Sequence, residues 1–145
     1  MKRLIYLSRA HPSLRKPHIN DILATSREQN RRNDITGLLI HHEGVFFQIL
    51  EGDRDDVAAC FARICTDWRH RDCHILMDKL IDVRAFGDWA MAYRLGEELG
   101  DREVRQLMDI SDVAKRSREG DLIQSPDMNI YLQAFLENFR MLDAS

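Results

Sequence analysis

The apolar positions along the chain alternate between a period of two, typical of strands, and a period near 3.6, typical of helices. The period of two predicts five strands: residues 4–8, 35–41, the segment around Gln48, about 74–83, and 89–95. The helical period predicts a first helix with Ile19, Ile22, Leu23, Ser26 and Asn30 on one stripe, and a second with Val57, Phe61, Ile64 and Trp68. The order β-α-β-β-α-β-β is the ferredoxin-like alternation with one strand added. It predicts an α+β fold with a mixed five-stranded sheet and two helices on one face.

Local residues indicate where these two helices begin and end. Pro17 suits the first turn of a helix, where its missing N–H group costs nothing, and the polar run 30–34 should end that helix. A second helix should begin at 52–53, because the carboxylates that follow favour its positive N-terminal end. We expect this helix to end at about residues 68–71 and the turn at 42–44 to join the second and third strands.

The segment 96–101 is polar and contains glycine, which makes it the best candidate for a boundary. We therefore expect a domain over residues 1–97 and a helical C-terminal extension over 98–145. The first helix of the extension carries Val104, Leu107, Met108 and Val113; the second opens at Ser125-Pro126 and carries Met128, Tyr131, Leu132, Phe135, Phe139 and Leu142, with Leu136 off its main face. These two helices could pack on the free face of the sheet, or they could contact a partner or a second copy of the chain.

A glutamine interrupts the most apolar stretch of the chain, residues 44–52. Gln48 shares one strand face with Phe46 and Leu50, and the residues on the opposite face are apolar too, so this strand should be buried on both sides. An unpaired amide in that position would cost about 1–3 kcal/mol. Gln48 should therefore be hydrogen-bonded, either by another side chain or by a bound ligand.

Other polar and aromatic residues could meet Gln48 between the sheet and its helices. Tyr6, Trp89 and Met91 lie in predicted strands, and Asn30 could enter the same space from the first helix. A slot with these groups would fit a flat heteroaromatic ligand that brings its own donors and acceptors. The alternative is that Tyr6 and Gln48 bond each other in a core of protein alone. The apolar residues that would flank the slot are Ile22, Leu23, Val57 and Phe61.

Composition narrows the class of protein. The chain has 145 residues with a net charge of −3, which argues against a general nucleic-acid binder. It has no run of about 20 apolar residues that could span a bilayer. Three cysteines without a C-x-x-C pair indicate reduced thiols in a cytoplasmic protein. The histidines lack a third ligand at a suitable spacing, so no metal site is expected, and no catalytic base stands out in the slot.

Three basic residues, Arg69, His70 and Arg71, cluster where the second helix should end. They could complement the negative C-terminal end of that helix. They could equally contact the phosphate or polyol part of a ligand.

Six short motifs occur in order along the chain. They are Tyr6-x-Ser8, Thr25-Ser26-x-x-x-Asn30, Ile35-Thr36-Gly37-Leu38-Leu39, Phe47-Gln48-Ile49-Leu50-Glu51-Gly52, Asp67-x-Arg69-His70 and Trp89-x-Met91. Together they resemble the BLUF family, the flavin-binding domains of blue-light photoreceptors, over about residues 2–97. The chain is similar to the short members of that family, which carry the domain and a helical tail. One position departs from some members, since Gln29 stands where others have Asn or His.

The resemblance implies a cofactor, FAD, bound noncovalently between the two sheet-covering helices. Tyr6 would be the donor of an electron and a proton, and Gln48 the switch between Tyr6 and the flavin. Asn30 would bond the polar edge of the ring, and Ile22 would flank it. Arg69 and His70 would contact the ribityl or phosphate region.

The resemblance also implies an output. Trp89 and Met91 would respond to the glutamine and pass the change to strand five, while Ser8 would lie near the same network. The implied function is a photosensory signalling protein, not an enzyme, that acts through the C-terminal helices on a partner protein or a homo-oligomer. The alternative is a small ferredoxin-like ligand-binding protein or enzyme that uses the same slot.

Overall fold

The computed structural model describes residues 1–87, 92–116 and 126–143, and of these it leaves out the side chains of residues 116 and 138–143. Within these ranges the strands are β1 (Lys2–Ala10), β2 (Thr36–His42), β3 (Val45–Gly52), β4 (His70–Leu80) and β5 (Ala92–Leu95). The helices are α1 (Lys16–Arg32), α2 (Arg54–Thr66), α3 (Asp101–Arg116) and α4 (Pro126–Asp143), with a 3₁₀ turn at Gly96–Glu98. The predicted α+β, ferredoxin-like class with a mixed five-stranded sheet is confirmed.

β3 is the central strand of the sheet, whose order is β4-β1-β3-β2-β5. The pairs are antiparallel except for β2 with β5, which is parallel. In this register Gln48 lies directly between Tyr6 on β1 and Leu39 on β2. The sheet therefore sets the Tyr6 and Gln48 side chains beside each other on one face.

The β2–β3 hairpin closes through a two-residue turn, as the sequence predicted. Glu43 and Gly44 both have positive φ angles, 48° and 76°. Two positive φ angles in succession define the type I′ turn, whose twist matches that of the flanking strands. Gly44 adopts this conformation without the steric penalty that a side chain would add.

The two faces of the sheet belong to two separate apolar clusters. The cluster under α1 and α2 contains Tyr6, Phe46 and Leu50, and the cluster under α3 and α4 contains Phe47 and Ile49. The alternation predicted for β3 is thus confirmed, and both of its faces are covered. The helices of the extension pack on the second face of the sheet. The division of the chain at residue 97 stays a prediction.

The connection between α2 and β4 differs from the prediction. The helix ends at Thr66, and β4 begins at His70 rather than near residue 74. Arg69, His70 and Arg71 therefore lie outside the helix, and His70 pairs with Ala10 of β1. Polar residues at the start of β4 hid this pairing, because their pattern has no apolar alternation to indicate a strand.

Some predicted core positions are also wrong. Trp68 is exposed because α2 ends before it. Cys60 is buried on α2, although the predicted apolar stripe of that helix did not include it. In the extension Met108 and Tyr131 are exposed, whereas Leu136 is buried against the sheet. The segment 88–91, including Trp89 and Met91, lies outside the described residues, as does Ser125. The side chains of Phe139 and Leu142 lie outside them too, so the predictions for these residues stay predictions.

A buried carboxylate ties β3 to the segment between β4 and β5. Glu51 is fully buried and accepts hydrogen bonds from the Nε of Arg3 at 2.9 Å and from the backbone N–H groups of Ala85 at 3.0 Å and Phe86 at 2.7 Å. The Phe86 ring is buried in the cluster with α3 and α4. Glu51 therefore connects the central strand to a segment that also packs on the extension.

Candidate functional site

A cavity of about 150 Å³ lies among α1, α2, β3 and the start of β4. Helix α1 contributes side chains at the spacing of one helix face, and α2 contributes the opposite wall. The lining residues are Ile22, Thr25, Ser26, Gln29, Asn30, Gln48, Cys60, Arg63, Ile64, Asp67, Arg69 and His70. Five predicted site residues thus meet in one place: Ile22, Asn30, Gln48, Arg69 and His70.

Tyr6 and Gln48 form a buried pair at the floor of this cavity. The Tyr6 hydroxyl donates a hydrogen bond to Oε1 of Gln48, and the two residues are 0% and 3% exposed. Burial raises the pKa of Tyr6 well above its usual value of 10.0, with a smaller contribution from the thiol of Cys73. Tyr6 is therefore a neutral phenol at any ordinary pH, and Gln48 connects it to the cavity.

Asn30 presents a second buried amide to the cavity from α1. The Sγ of Cys60 lies 3.9 Å from Oδ1 of Asn30, across the gap between the two helices. Burial raises the pKa of the Cys60 thiol, so it stays neutral. Sequence reasoning missed Cys60, although its position three residues after Val57 on α2 could have indicated it.

His70 is a neutral imidazole that holds Ser8 in the same region. Its Nδ1 lies 2.9 Å from Oγ of Ser8, and its ring lies 4.8 Å from that of Phe46. Burial lowers the pKa of His70 from 6.5 to about 4. His70 therefore contributes a polar, uncharged group to the cavity wall at neutral pH.

Arg69 reaches the cavity as part of an ion pair. Its Nε lies 2.9 Å from Oδ1 of Asp67 and its Nη2 lies 2.5 Å from Oδ2, so the contact is bidentate. This contact lowers the pKa of Asp67 and raises that of Arg69. Arg63 adds a second guanidinium to the lining.

The remaining predicted site residues stand in different positions. Tyr6 and Ser8 lie behind the lining and reach it through Gln48 and His70. Trp89 and Met91 fall outside the described residues. Over the described part of the chain, His, Cys, Asp and Glu residues form no group of three that could hold a metal ion. Nor does any helix there have the length and apolarity to cross a membrane.

Comparison with known families decides the class of the site. The sequence profile of the family described as "BLUF: Sensors of blue-light using FAD" matches residues 1–92. The chain belongs to the BLUF family. This match confirms the predicted family, which is a family of blue-light sensors. It also confirms the predicted cofactor, FAD.

Three relatives illustrate how BLUF sequences are used. The chain is 32% identical over 93 residues to "Photoactivated adenylate cyclase subunit beta" of Euglena gracilis, covering 63% of this chain and 11% of that protein. It is 29% identical over 107 residues to "Blue light- and temperature-regulated antirepressor BluF" of Escherichia coli (strain K12), covering 74% and 25%. The solved structure "BlrB - a BLUF protein, dark state structure" has a TM-score of 0.72 and 27% identity, covering 94% and 95%. This chain thus spans 11% and 25% of the two curated relatives.

The residues around the cavity fit the cofactor of the BLUF family. A flavin ring is flat and has carbonyl and imide groups along one edge. Asn30 and Gln48 offer amides, each with a donor end and an acceptor end, while Ile22 and Ile64 offer apolar surface on the two helix walls. Arg63 offers positive charge for a phosphate group.

Proposed function

We propose that this chain is a blue-light sensor in which Tyr6 and Gln48 form the photoswitch. The observation that carries the proposal is the buried hydrogen bond from Tyr6 to Gln48, made by a glutamine that also lines the cavity. Asn30, Ile22, Arg69 and His70 would hold the FAD. Bound FAD supplies an absorber of blue light whose excited ring is a strong oxidant.

In the proposed mechanism Tyr6 would give up an electron and its hydroxyl proton and would take both back once the amide of Gln48 has rearranged. Gln48 stands where that proton must travel, because its Oε1 accepts the Tyr6 hydrogen bond. Rotation or tautomerisation of the Gln48 amide then reverses which of its ends faces the cavity. The donor end of the amide, which then faces the cavity, stabilises the state formed under light. Trp89 and Met91 would respond to this change, as the BLUF motifs imply. No bond of a substrate is made or broken, so the change reverses in the dark.

We propose that the rearrangement of Gln48 is transmitted through β5 to the C-terminal extension. The contacts of Glu51 support this route, since they tie the strand of Gln48 to Ala85 and Phe86, and Phe86 packs with α3 and α4. The extension, residues 98–145, would then act on a partner protein or on a second copy of the chain. Light scattering in the dark and under blue light distinguishes these two outputs.

Absorption spectra of the purified protein test the proposed photoswitch. Blue light should shift the flavin absorption reversibly to the red, and Tyr6→Phe or Gln48→Leu should each keep the flavin and lose the shift. Tyr131→Phe is the matched control, because Tyr131 lies exposed on α4. A normal shift in Gln48→Leu would remove the mechanism, and a protein that takes up no flavin would remove the function.

A further inference from the structure

Trp68 is a half-exposed indole held between two imidazoles. The residue is 53% exposed, and the rings of His11 and His18 meet it edge-on with centroids at 5.2 Å and 5.6 Å. Single exposed aromatic residues are common on protein surfaces and need no explanation. This one differs because two neighbouring rings fix its orientation, which leaves less motion to lose when a ligand binds.

Backbone donors fix both imidazoles in turn. Nδ1 of His11 accepts from the N–H of Ser13 at 3.0 Å, and Nδ1 of His18 accepts from the N–H of Arg15 at 2.9 Å. The N–H of His11 also donates to the carbonyl of Arg69 at 3.2 Å, next to Trp68 in the chain. The aromatic cluster of Trp68, His11 and His18 is therefore held in place by the protein's own hydrogen bonds.

The aromatic cluster continues the wall of the flavin cavity along α1. Ile22, Ser26 and Asn30 line the cavity and recur every four residues on one helix face. His18 is the next position in that series, toward the start of the helix. Asn30 and His18 are thus about 18 Å apart along the helix axis, a separation that suits the two rings of an extended dinucleotide.

The aromatic cluster also continues the wall formed by the connection between α2 and β4. Asp67 and Arg69, the chain neighbours of Trp68, both line the cavity. Arg63 lines it as well, so two arginine residues border the cavity. Because Asp67 pairs with Arg69, Arg63 is the stronger candidate for a phosphate contact.

We propose that Trp68, framed by His11 and His18, binds the adenine ring of FAD while the flavin ring lies at the Asn30 end of the cavity. This inference rests on the proposed flavin site. An indole ring stacks well on a purine, and this one is 53% exposed. Because FMN and riboflavin have no adenine, Trp68 sets the preference for FAD over both.

Titration of the full chain, freed of its flavin, with FAD, FMN and riboflavin tests the proposal through flavin fluorescence. Trp68→Ala should reduce the ratio of FAD affinity to FMN affinity on the order of tenfold. Trp68→Phe should keep most of the ratio, because a phenyl ring still stacks. Tyr131→Ala removes an exposed aromatic residue from α4, on the other face of the sheet, and should leave the ratio unchanged.

The three flavins separate the possible outcomes. If Trp68→Ala weakens FAD, FMN and riboflavin equally, Trp68 only packs two loops together and the adenine site is wrong. An unchanged ratio with unchanged affinities overturns the adenine site as well. A wild-type chain that binds none of the three flavins overturns the flavin site itself, and the adenine site with it.

Discussion

At the residue scale, burial keeps Tyr6, Cys60 and His70 neutral beside the cavity. It raises the pKa of Tyr6 and of Cys60, and it lowers the pKa of His70 to about 4. Each shift favours the uncharged form, because a buried charge without a partner is costly. In the proposed photoswitch, the proton of Tyr6 would therefore move close to side chains that burial keeps neutral.

The pKa of His70 predicts how stability depends on pH. In the unfolded chain this imidazole takes up a proton near its ordinary pKa of 6.5, whereas in the folded chain it does so only near 4. The unfolded state thus binds more protons between these values, so stability falls as the pH falls through this window. The loss should approach about 3 kcal/mol, measured by urea unfolding at a series of pH values.

His70→Asn is the control for this pH dependence. An asparagine amide can still bond the hydroxyl of Ser8, which His70 contacts through Nδ1 at 2.9 Å, but it does not titrate. Stability of this variant should depend less on pH between 6.5 and 4 than that of the wild type. If the two curves are parallel, His70 is protonated at its ordinary pKa in the fold and the assignment of its burial effect is wrong.

At the scale of elements, Glu51 joins the strand of Gln48 to Ala85 and Phe86 through two hydrogen bonds. Glu51→Gln would keep an acceptor for only one of two backbone N–H groups, because Ala85 donates to Oε2 and Phe86 to Oε1. It would also leave the guanidinium of Arg3 buried without its counter-charge. Removing one partner of a buried pair costs about 3–5 kcal/mol. We expect a loss of that size in the free energy of unfolding, measured with denaturant.

An exposed ion pair of the same chemistry provides the matched control. Arg32 and Glu28 on α1 are joined at 2.8 Å, with 73% and 68% of their side chains exposed. Glu28→Gln should change stability by no more than about 0.5 kcal/mol. If Glu28→Gln and Glu51→Gln lower the free energy of unfolding equally, the buried ion pair of Glu51 with Arg3 does not stabilise the fold as predicted. The double variant Arg3→Met with Glu51→Gln should recover part of the loss.

The elements themselves were predictable where a face is continuously apolar. Both faces of β3 carry apolar residues, and the alternation therefore predicted the placement of Gln48, which the structure confirms. Asn30 was predicted because it extends the helical stripe of Ile22, and the two residues do line the same cavity.

Prediction failed where tertiary contacts decide. β4 begins at His70 because its backbone pairs with Ala10 and its ring meets Ser8, contacts that no local pattern contains. The end of α2 was mispredicted for the same reason. Trp68 was expected in the core, but it is exposed. Leu136 is buried although it lies off the main stripe of α4, because it packs in the cluster that the helix shares with the sheet.

At the scale of the whole molecule, the extension covers the second face of the sheet and shares the apolar cluster of that face. Phe135 of α4 is fully buried and meets the ring of Phe47 on β3 at 5.1 Å, edge to face. Phe47 is the chain neighbour of Gln48, on the opposite face of the strand. Gln48, the proposed switch residue, and Phe47, which contacts the extension, are therefore adjacent along β3.

This arrangement predicts that α4 stabilises the sheet directly. Phe135→Ala should lower the free energy of unfolding by about 3–5 kcal/mol, since it leaves a cavity against Phe47. Tyr131→Ala, on the exposed side of α4, should change it by less than about 0.5 kcal/mol. Circular dichroism during unfolding measures both. A loss below about 1 kcal/mol for Phe135→Ala would mean that α4 lies only loosely on the sheet.

The alternation of β3 also restricts how this sequence can change in evolution. Because successive residues of the strand face opposite sides of the sheet, the insertion of one residue before Phe47 would turn the Gln48 side chain toward the extension and the Phe47 side chain toward the cavity. Substitutions in β3 can be tested one at a time by selection, but a change of length exchanges both faces at once. Insertions and deletions should therefore accumulate in the loops, and the count of residues across β3 should hardly vary among functional descendants.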